Sequence, residues 1–354
     1  MRLAVLGAGA VGPASAVLAI RRGHSAVLWS PSGRGIAGMA GWMEVEGVVE
    51  GNHPLTATAS LEEALRGADA ALLAVPAYAF ASVLPRIAAA LPAGLPVLVS
   101  PAASLAPVVL DALVARRGAP AGRAPVGAMG TTPCGGRRLA PDRVRIAMVR
   151  SAVDMAAVPA GSAAEMAALA ETLFGMSFPL SPDALHVSFV NANPIIHAVL
   201  ALTNVTRMER GEAWPQYPMM TPFACNLMQA MAAERAAVAA AYGHGVTGLD
   251  TALHRANGVK MGPLHEMAAV IATARSDILG PKTTESRYVT EDVPYGLAYY
   301  MAVGAAKGIA MPVTEGVVRT LEVLWGRDFR RNPLLEEIEL EALPRLLVEG
   351  VGRG

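Results

Sequence analysis

Met1-Arg2-Leu3-Ala4-Val5-Leu6 runs without a break into Gly7-Ala8-Gly9-Ala10-Val11-Gly12, after which residues 14–22 carry apolar side chains at helical spacing. An apolar run, a glycine-rich turn and a helix, in that order, form the opening βα unit of an open parallel sheet. Three different demands call for glycine in such a turn. They are a sharp reversal at Gly7, close backbone approach of a ligand at Gly9, and tight packing of helix on strand at Gly12. The helix start points unpaired N–H groups outward, so Ala10 and Val11 join the three glycines as candidate contacts of a pyrophosphate. Pro13 suits this position because the first helical turn has no use for its missing N–H. Glycine-rich turns are common; it is the place between an N-terminal strand and a helix that points to a dinucleotide.

The alternation continues. Ser25-Ala26-Val27-Leu28-Trp29 reads as a second strand, 68–75 and 97–100 as buried strands, and 105–117 as a helix. This pattern predicts an α/β domain with a Rossmann-type doubly wound parallel sheet over residues 1–182. NAD-specific sheets place an acid after the second strand, on the ribose 2′-hydroxyl. Here the first acidic residue of the chain is Glu44, and Ser30, Ser32 and Arg34 stand where a 2′-phosphate would lie. Two hydroxyls and a guanidinium suit a dianion, which favours NADP over NAD as cofactor, although a surface loop of Ser, Pro and Gly reads the same way. Val75 and Pro76, at the carboxyl end of a strand, are expected to line the nicotinamide ribose or to be an ordinary strand exit. Residues 118–136, rich in Gly, Pro and Ala, read as loop, and 144–149 as a late strand. Ser162 and Glu165 have capping-box spacing ahead of a helix that closes the domain.

Beyond Pro179 and Pro182 the period turns helical, so residues 183–354 are expected to form an all-helical second domain. A long helix over 183–208 is interrupted by Pro194, which should kink it or start a new turn. Asn193 and His197 are four apart and share one helix face. This is either a helix-opening Asn-Pro followed by a core histidine, or a polar pair facing a substrate. Far downstream, Arg287-Tyr288-Val289-Thr290-Glu291-Asp292-Val293-Pro294-Tyr295-Gly296 concentrates charge in an otherwise apolar stretch, as a structured loop before a helix. Arg287 offers a planar fork to a carboxylate, and Asp292 could orient His197. A helix over 223–242 has a methionine stripe that reads as core filling. Trp214, Tyr217 and Met219 lie in a Pro-punctuated loop able to cover an apolar side chain.

Composition excludes several partners. Hydrophobic residues make up 53% and charged ones 16%, so the chain is too apolar for disorder, and its length suits two domains. Lys plus Arg equals Asp plus Glu at 29 each, and no basic run is interleaved with aromatics, so nucleic acid is not an expected partner. The Ala-rich stretches are cut by Arg86, Pro92, Asp111 or Arg116 before the roughly 20 residues a bilayer needs, and no membrane is expected. A strand directly at Met1 leaves no room for a signal peptide, which makes a cytoplasmic location the default. Cys134 and Cys225 are too few for a disulfide framework and too far apart for a metal knuckle, so buried thiols and no metal are expected. Ala-rich helical surfaces are compatible with a homodimer.

With these pieces in place the chain resembles the octopine/nopaline (opine) dehydrogenase family. The resemblance rests on the Gly7 turn, Val75-Pro76-Ala77-Tyr78-Ala79, Asn193-Pro194-Ile195-Ile196-His197 and Glu291-Asp292-Val293-Pro294 within the Tyr288 to Gly296 stretch. The first two are shared with many dehydrogenases; the last two, in that order, are more specific. The resemblance implies reductive condensation of an amino acid with a 2-keto acid such as pyruvate, through an imine reduced by hydride from NADPH or NADH. It also implies His197 as general acid/base assisted by Asp292, with Asn193 near the nicotinamide. Arg287 as keto-acid carboxylate anchor is an extension beyond the family pattern. An imidazole, with an ordinary pKa of roughly 6.5, suits proton transfer near neutral pH. This chemistry calls for a cleft between the domains. Two features depart from the family: the missing acid after the second strand, and a Gly130 to Arg137 stretch without the Glu and Tyr of its relatives. Two other readings stay open. One is a ketopantoate-like or 2-hydroxyacid reductase, with a lysine as acid among Lys260, Lys282 and Lys307; the other is a cofactor-binding sensor without turnover.

Overall fold

In the computed structural model, which describes residues 1–118 and 123–352, contacts divide the chain into two units. One is Met1–Ser188 together with the C-terminal stretch from Leu334, and the other is Phe189–Pro333. The first begins at Met1 as in the expected 1–182, but runs to Ser188 and takes in the C-terminal stretch. Leu343, Leu346 and Leu347 of the short C-terminal helix Leu343–Glu349 are buried, and this helix packs on Met155–Val158 and the turn Ala160–Ser162. Asp111 holds the tail directly: its carboxylate accepts the Val351 N–H at 2.7 Å and pairs with the buried Arg123 at 3.5 Å. A seven-residue amphipathic helix carries no mark of which core it joins, so only the tertiary structure reveals this return.

The strands of the first unit are β1 (Arg2–Leu6), β2 (Ser25–Trp29), β3 (Trp42–Gly47), β4 (Gly51–Pro54), β5 (Thr56–Thr58), β6 (Ala70–Leu73), β7 (Val97–Val99), β8 (Val126–Met129), β9 (Cys134–Ala140), β10 (Arg143–Val149) and β11 (Met155–Val158). Seven of them form the main sheet, in the order β11-β8-β7-β6-β1-β2-β5. All its pairings are parallel except β11 on β8. Leu3, Ala4, Val5 and Leu6 of β1 and all of β6 are wholly buried, the continuous apolar signature of strands covered on both faces. This is the expected doubly wound sheet. The helix α1 (Val11–Arg21) follows β1 directly.

A second sheet, β4-β3-β10-β9, was not expected. In β3 the apolar Met43 and Val45 alternate with exposed Glu44 and Glu46, the pattern of a half-covered strand. Met43, Val45, Val144 and Ile146 pack into the same core as Leu3 and Val17. The stretch 118–136 is therefore not all loop, since β8 and the start of β9 lie within it; residues 119–122 of that stretch fall outside the described residues. The Ser162 capping box does not form either. Ser162 ends a 3-10 turn and its side chain makes no cap hydrogen bond to the helix Ala163–Phe174.

The second unit is helical, apart from an isolated bridge between Pro215 and Leu279. The long helix expected over 183–208 stops at Val190 and restarts at Asn193, so that Pro194 falls in a first turn, where its missing N–H is harmless. The Asn191 carbonyl exposed by this break accepts from Tyr300 Oη at 2.8 Å and from the buried Arg235 Nη1 at 3.3 Å. By length and composition alone the run Ala184–Thr203 (20 residues, mean hydropathy 1.4) is apolar enough to cross a membrane, which the cuts in the Ala-rich stretches did not anticipate, but it is broken after Val190 and 61% of its 18-residue window is buried. The Arg287 to Gly296 stretch is also not a loop. It comprises the helical turn Arg287–Thr290 and a π-helical turn, Val293–Leu297, that runs into the helix Ala298–Ala305.

Candidate active site

The glycine turn is a cradle defined by what cannot occupy it. Gly7 sits at φ +138°, and a Cβ there would lie 2.3 Å from the Ala74 carbonyl oxygen. A Cβ on Gly12 would lie 1.9 Å from the Gly7 carbonyl oxygen, so helix and turn approach too closely for any side chain. Over Gly9, in contrast, no atom lies within 4 Å of such a Cβ, which leaves the backbone open to a ligand. Ala10 precedes α1 without capping it, so the first N–H groups of a helix that begins at Val11 have no side-chain acceptor. Open backbone beside an uncapped helix start fits a dinucleotide pyrophosphate. The β6 exit adjoins the turn, with Val75 Cγ1 2.9 Å from the same point at Gly7 and Pro76 following.

Around the expected 2′-phosphate position the residues divide. Ser30 is buried, and its Oγ accepts the Gly35 N–H at 3.3 Å, while Ser32 and Arg34 are exposed. Arg138, on β9, was missed. Its guanidinium donates to the carbonyls of Ala8 at 3.2 Å, Gly9 at 3.3 Å and Gly35 at 3.0 Å, tying the glycine turn to the loop that carries Arg34. Burial pulls its pKa below the ordinary arginine value, and Asp142 opposes that shift. No local spacing links an arginine on β9 to a turn at the other end of the domain, so the sequence held no signal for it.

In the second unit, His197 Nδ1 donates to Asp292 Oδ2 at 2.8 Å, across 95 positions of sequence. Their side chains are 16% and 17% exposed, so neither is sealed in the core. A carboxylate on Nδ1 keeps a proton there and leaves Nε2 to accept or donate. Close packing brings the pair together. A Cβ on Gly296 would lie 2.4 Å from Cβ and Cγ of Pro194, so the π-helical turn rests directly on the first turn of Asn193–Thr203. Asp292 directly precedes that π turn, and such turns are frequent at functional sites.

Tyr288 lies flat on His197, with ring centroids 3.7 Å apart and planes 6° apart. Its hydroxyl donates to Gln216 Oε1. Burial, reinforced by Asp292 and Tyr217, pushes its phenol above the ordinary tyrosine range, so it stays protonated. Tyr288 stood within the charged motif, but nothing in a sequence places one ring on another, and Gln216 carried no signal at all. Asn193 is exposed one turn before His197, and its backbone N–H donates to Asn191 Oδ1 at 3.1 Å. Arg287 is exposed, but its fork is engaged by Glu291, with Nη2 donating to Oε1 at 3.1 Å. Trp214 does not line a site. It is wholly buried, and its indole N–H donates to the Pro281 carbonyl at 3.0 Å.

Comparison with known proteins agrees with these two regions. Residues 180–324 match the family described as NAD/NADP octopine/nopaline dehydrogenase, alpha-helical domain, and residues 2–101 match the NAD-dependent glycerol-3-phosphate dehydrogenase N-terminus. An opine dehydrogenase of Arthrobacter sp. (strain 1C) is 28% identical over 349 residues, spanning 96% of this chain and 95% of that protein. Octopine dehydrogenase solved with NADH and L-arginine superposes with a TM-score of 0.80 at 16% identity, covering 98% of both chains. Yersinopine dehydrogenase with NADP+ bound gives 0.71 at 15% identity, covering 99% of this chain and 98% of that one. The fold is thus shared at low identity, while the helical-domain match and the full-length relative carry the kinship. Residues 180–324 thus match the octopine/nopaline dehydrogenase helical domain, and the chain as a whole is opine dehydrogenase-like, an NAD(P)-dependent oxidoreductase.

Proposed function

We propose that this enzyme joins an amino acid to a 2-keto acid such as pyruvate and reduces the resulting imine, with His197 as general acid/base and Asp292 behind it. The observation that carries this reading is the 2.8 Å bond from Nδ1 to Asp292, which leaves Nε2 as the working edge of a partly exposed imidazole. Nε2 takes a proton from the incoming ammonium, so that the amine nitrogen can attack the keto carbon. The same proton then goes to the carbinolamine hydroxyl, which leaves as water and gives the imine. Asp292 holds the ring in one tautomer and stabilises the imidazolium between the two transfers. When bound, the reduced nicotinamide supplies the hydride that the imine carbon receives. Gly7, Gly9, Ala10, Val11 and Gly12 would hold its pyrophosphate, Val75 and Pro76 the nicotinamide ribose, and Ser30 and Arg34 the 2′ side of the adenosine. Exposed Arg34, in a loop without an acid after β2, favours NADP over NAD. Asn193 stands one turn from His197 as a contact for substrate or nicotinamide amide. Arg287 would share its guanidinium between Glu291 and the keto-acid carboxylate.

The relatives' ligands are consistent with this assignment: octopine dehydrogenase has been solved with L-arginine, with agmatine and with pyruvate. The lysine-based alternative has little to work with, since Lys260, Lys282 and Lys307 are all exposed. The test is a screen of pyruvate and other 2-keto acids against the amino acids, following NADPH and NADH oxidation in parallel, with a His197→Ala variant beside the parent. The variant is expected to bind dinucleotide as the parent does and to lose about a hundredfold in kcat. Parental kcat in the variant removes His197 from the chemistry, and amine-independent reduction of a keto acid identifies a hydroxyacid-type reductase instead.

A further inference from the structure

One hydrogen bond does not fix a ring. The contact to Asp292 holds Nδ1 and the Cβ bond holds Cγ, but one hydrogen bond still lets the two side-chain torsions rock together and carry Nε2 off its line. A general acid needs its proton within hydrogen-bond reach of one atom, and a displacement of about 1 Å is enough to lower a rate by about a hundredfold. A contact across the face of the ring limits that rocking.

Tyr288 meets that need. Its ring covers one face of His197 at 3.7 Å and is parallel to within 6°, closer and flatter than the other aromatic pairs among the described residues. The tyrosine is itself tethered at both ends. Its backbone N–H donates to Ser286 Oγ at 3.3 Å, at the start of the turn Arg287–Thr290. Its hydroxyl donates to Gln216, in a segment that is fixed rather than mobile, since the Gln216 N–H donates to the Ile278 carbonyl at 3.0 Å. Beside it, the ring of Trp214 fills the space over Gly280, where a Cβ would lie 2.2 Å from the indole. The segment anchored by buried Trp214 thus carries half-buried Gln216 to the phenol, and the phenol lies on the imidazole.

We infer that Tyr288 is a positioning residue, which with Gln216 behind it sets the plane of His197 so that Nε2 keeps one bearing. This inference rests on the reading of His197 as the acid/base. Tyr288 remains protonated at working pH, so it transfers no proton of its own in this role.

The test compares Tyr288→Phe, which keeps the ring and loses the hydroxyl, with Tyr288→Leu, which loses the plane; Tyr288→Met replaces the latter if it does not fold. Without substrate, the His197 Nδ1–H resonance, identified by its loss in His197→Ala, is expected to stay sharp in the parent and Tyr288→Phe and to broaden in Tyr288→Leu. With pyruvate and the amine giving the fastest NADPH oxidation, Tyr288→Leu is expected to lose about 30-fold in kcat. Its dinucleotide KM is expected to stay unchanged and its solvent deuterium isotope effect on kcat to rise, while Tyr288→Phe and Gln216→Ala, which keep the ring on His197 but lose its tether, are expected to fall by a smaller, about threefold, step in kcat. A sharp resonance and parental kcat in Tyr288→Leu overturn the inference, and so does a Tyr288→Phe as impaired as Tyr288→Leu. If His197→Ala also keeps parental kcat, it is the acid/base assignment that fails; if His197→Ala loses its activity and Tyr288→Leu does not, only the positioning role fails.

Discussion

The glycine turn and the histidine site are built in opposite ways. From Gly7 to Gly12 the chain makes its feature from one short stretch of backbone, by omitting side chains wherever a Cβ would strike a carbonyl. The histidine site is made of side chains, from His197, Asp292, Tyr288 and Gln216, brought together by the contact of Gly296 with Pro194. A site made by local sterics is hard to alter by degrees, and its failure is structural. A site made by distant side chains can lose one member and keep its fold, so its failures are chemical and graded.

Substitutions that test this contrast are expected to differ in kind as well as in size. The largest effect is expected from Gly12→Ala, whose methyl would meet the Gly7 carbonyl oxygen at 1.9 Å. Helix and strand must separate, and a loss of about 3 kcal/mol in urea unfolding together with loss of dinucleotide binding is expected. A variant that binds dinucleotide normally would show that the turn is less tightly determined than its geometry implies. Next is Asp292→Asn, which keeps the shape and releases the histidine tautomer. A fall of about a hundredfold in kcat with parental dinucleotide affinity and urea midpoint is expected. An equal fall in stability would blur the contrast between the two regions.

A smaller change is expected from Arg34→Ala, which removes one exposed guanidinium from the loop after β2. NADPH binding is expected to weaken about tenfold, a difference of about 1.4 kcal/mol, and NADH binding to stay level, both read by fluorescence titration. Equal losses for both cofactors would remove Arg34 from the 2′ side. The smallest effect concerns Cys134, a wholly buried β9 residue whose thiol burial pushes up to about 11 from 9.0. Iodoacetamide at pH 8 is expected to leave it unmodified in the folded protein and to label it once unfolded. Because the folded thiol holds its proton more tightly, its contribution to stability is complete below about pH 9 and is lost as pH rises through about 11.

What could be read in advance follows the same line. The β1 to α1 unit, the buried strands β6 and β7 and the helix Pro222–Ala241 announce themselves through apolar runs and periods that neighbouring residues complete on their own. The second sheet did not. Its β9 begins with Cys134-Gly135-Gly136-Arg137-Arg138, which has no strand signature until β10 pairs with it. The charged stretch at Arg287 looked like a loop because its helical turns are short and π-wound, held by packing on Pro194 rather than by propensity. At the histidine site the residue types were legible but their mutual geometry was not. Arg287 illustrates the limit: its fork was evident, whereas its engagement by Glu291 was not.

The sequence by itself determined the start of the sheet, the shape of the glycine turn and the identities of His197 and Asp292, because glycine sterics and apolar period act between neighbours in the chain. The tertiary structure decided that Asp292 holds Nδ1, that Tyr288 covers the ring, that Arg138 braces the glycine turn and that the tail from Leu334 returns to the first unit. Those are contacts between residues far apart in sequence, fixed by close packing of the folded core, and no local pattern encodes which distant side chain will fill a given space.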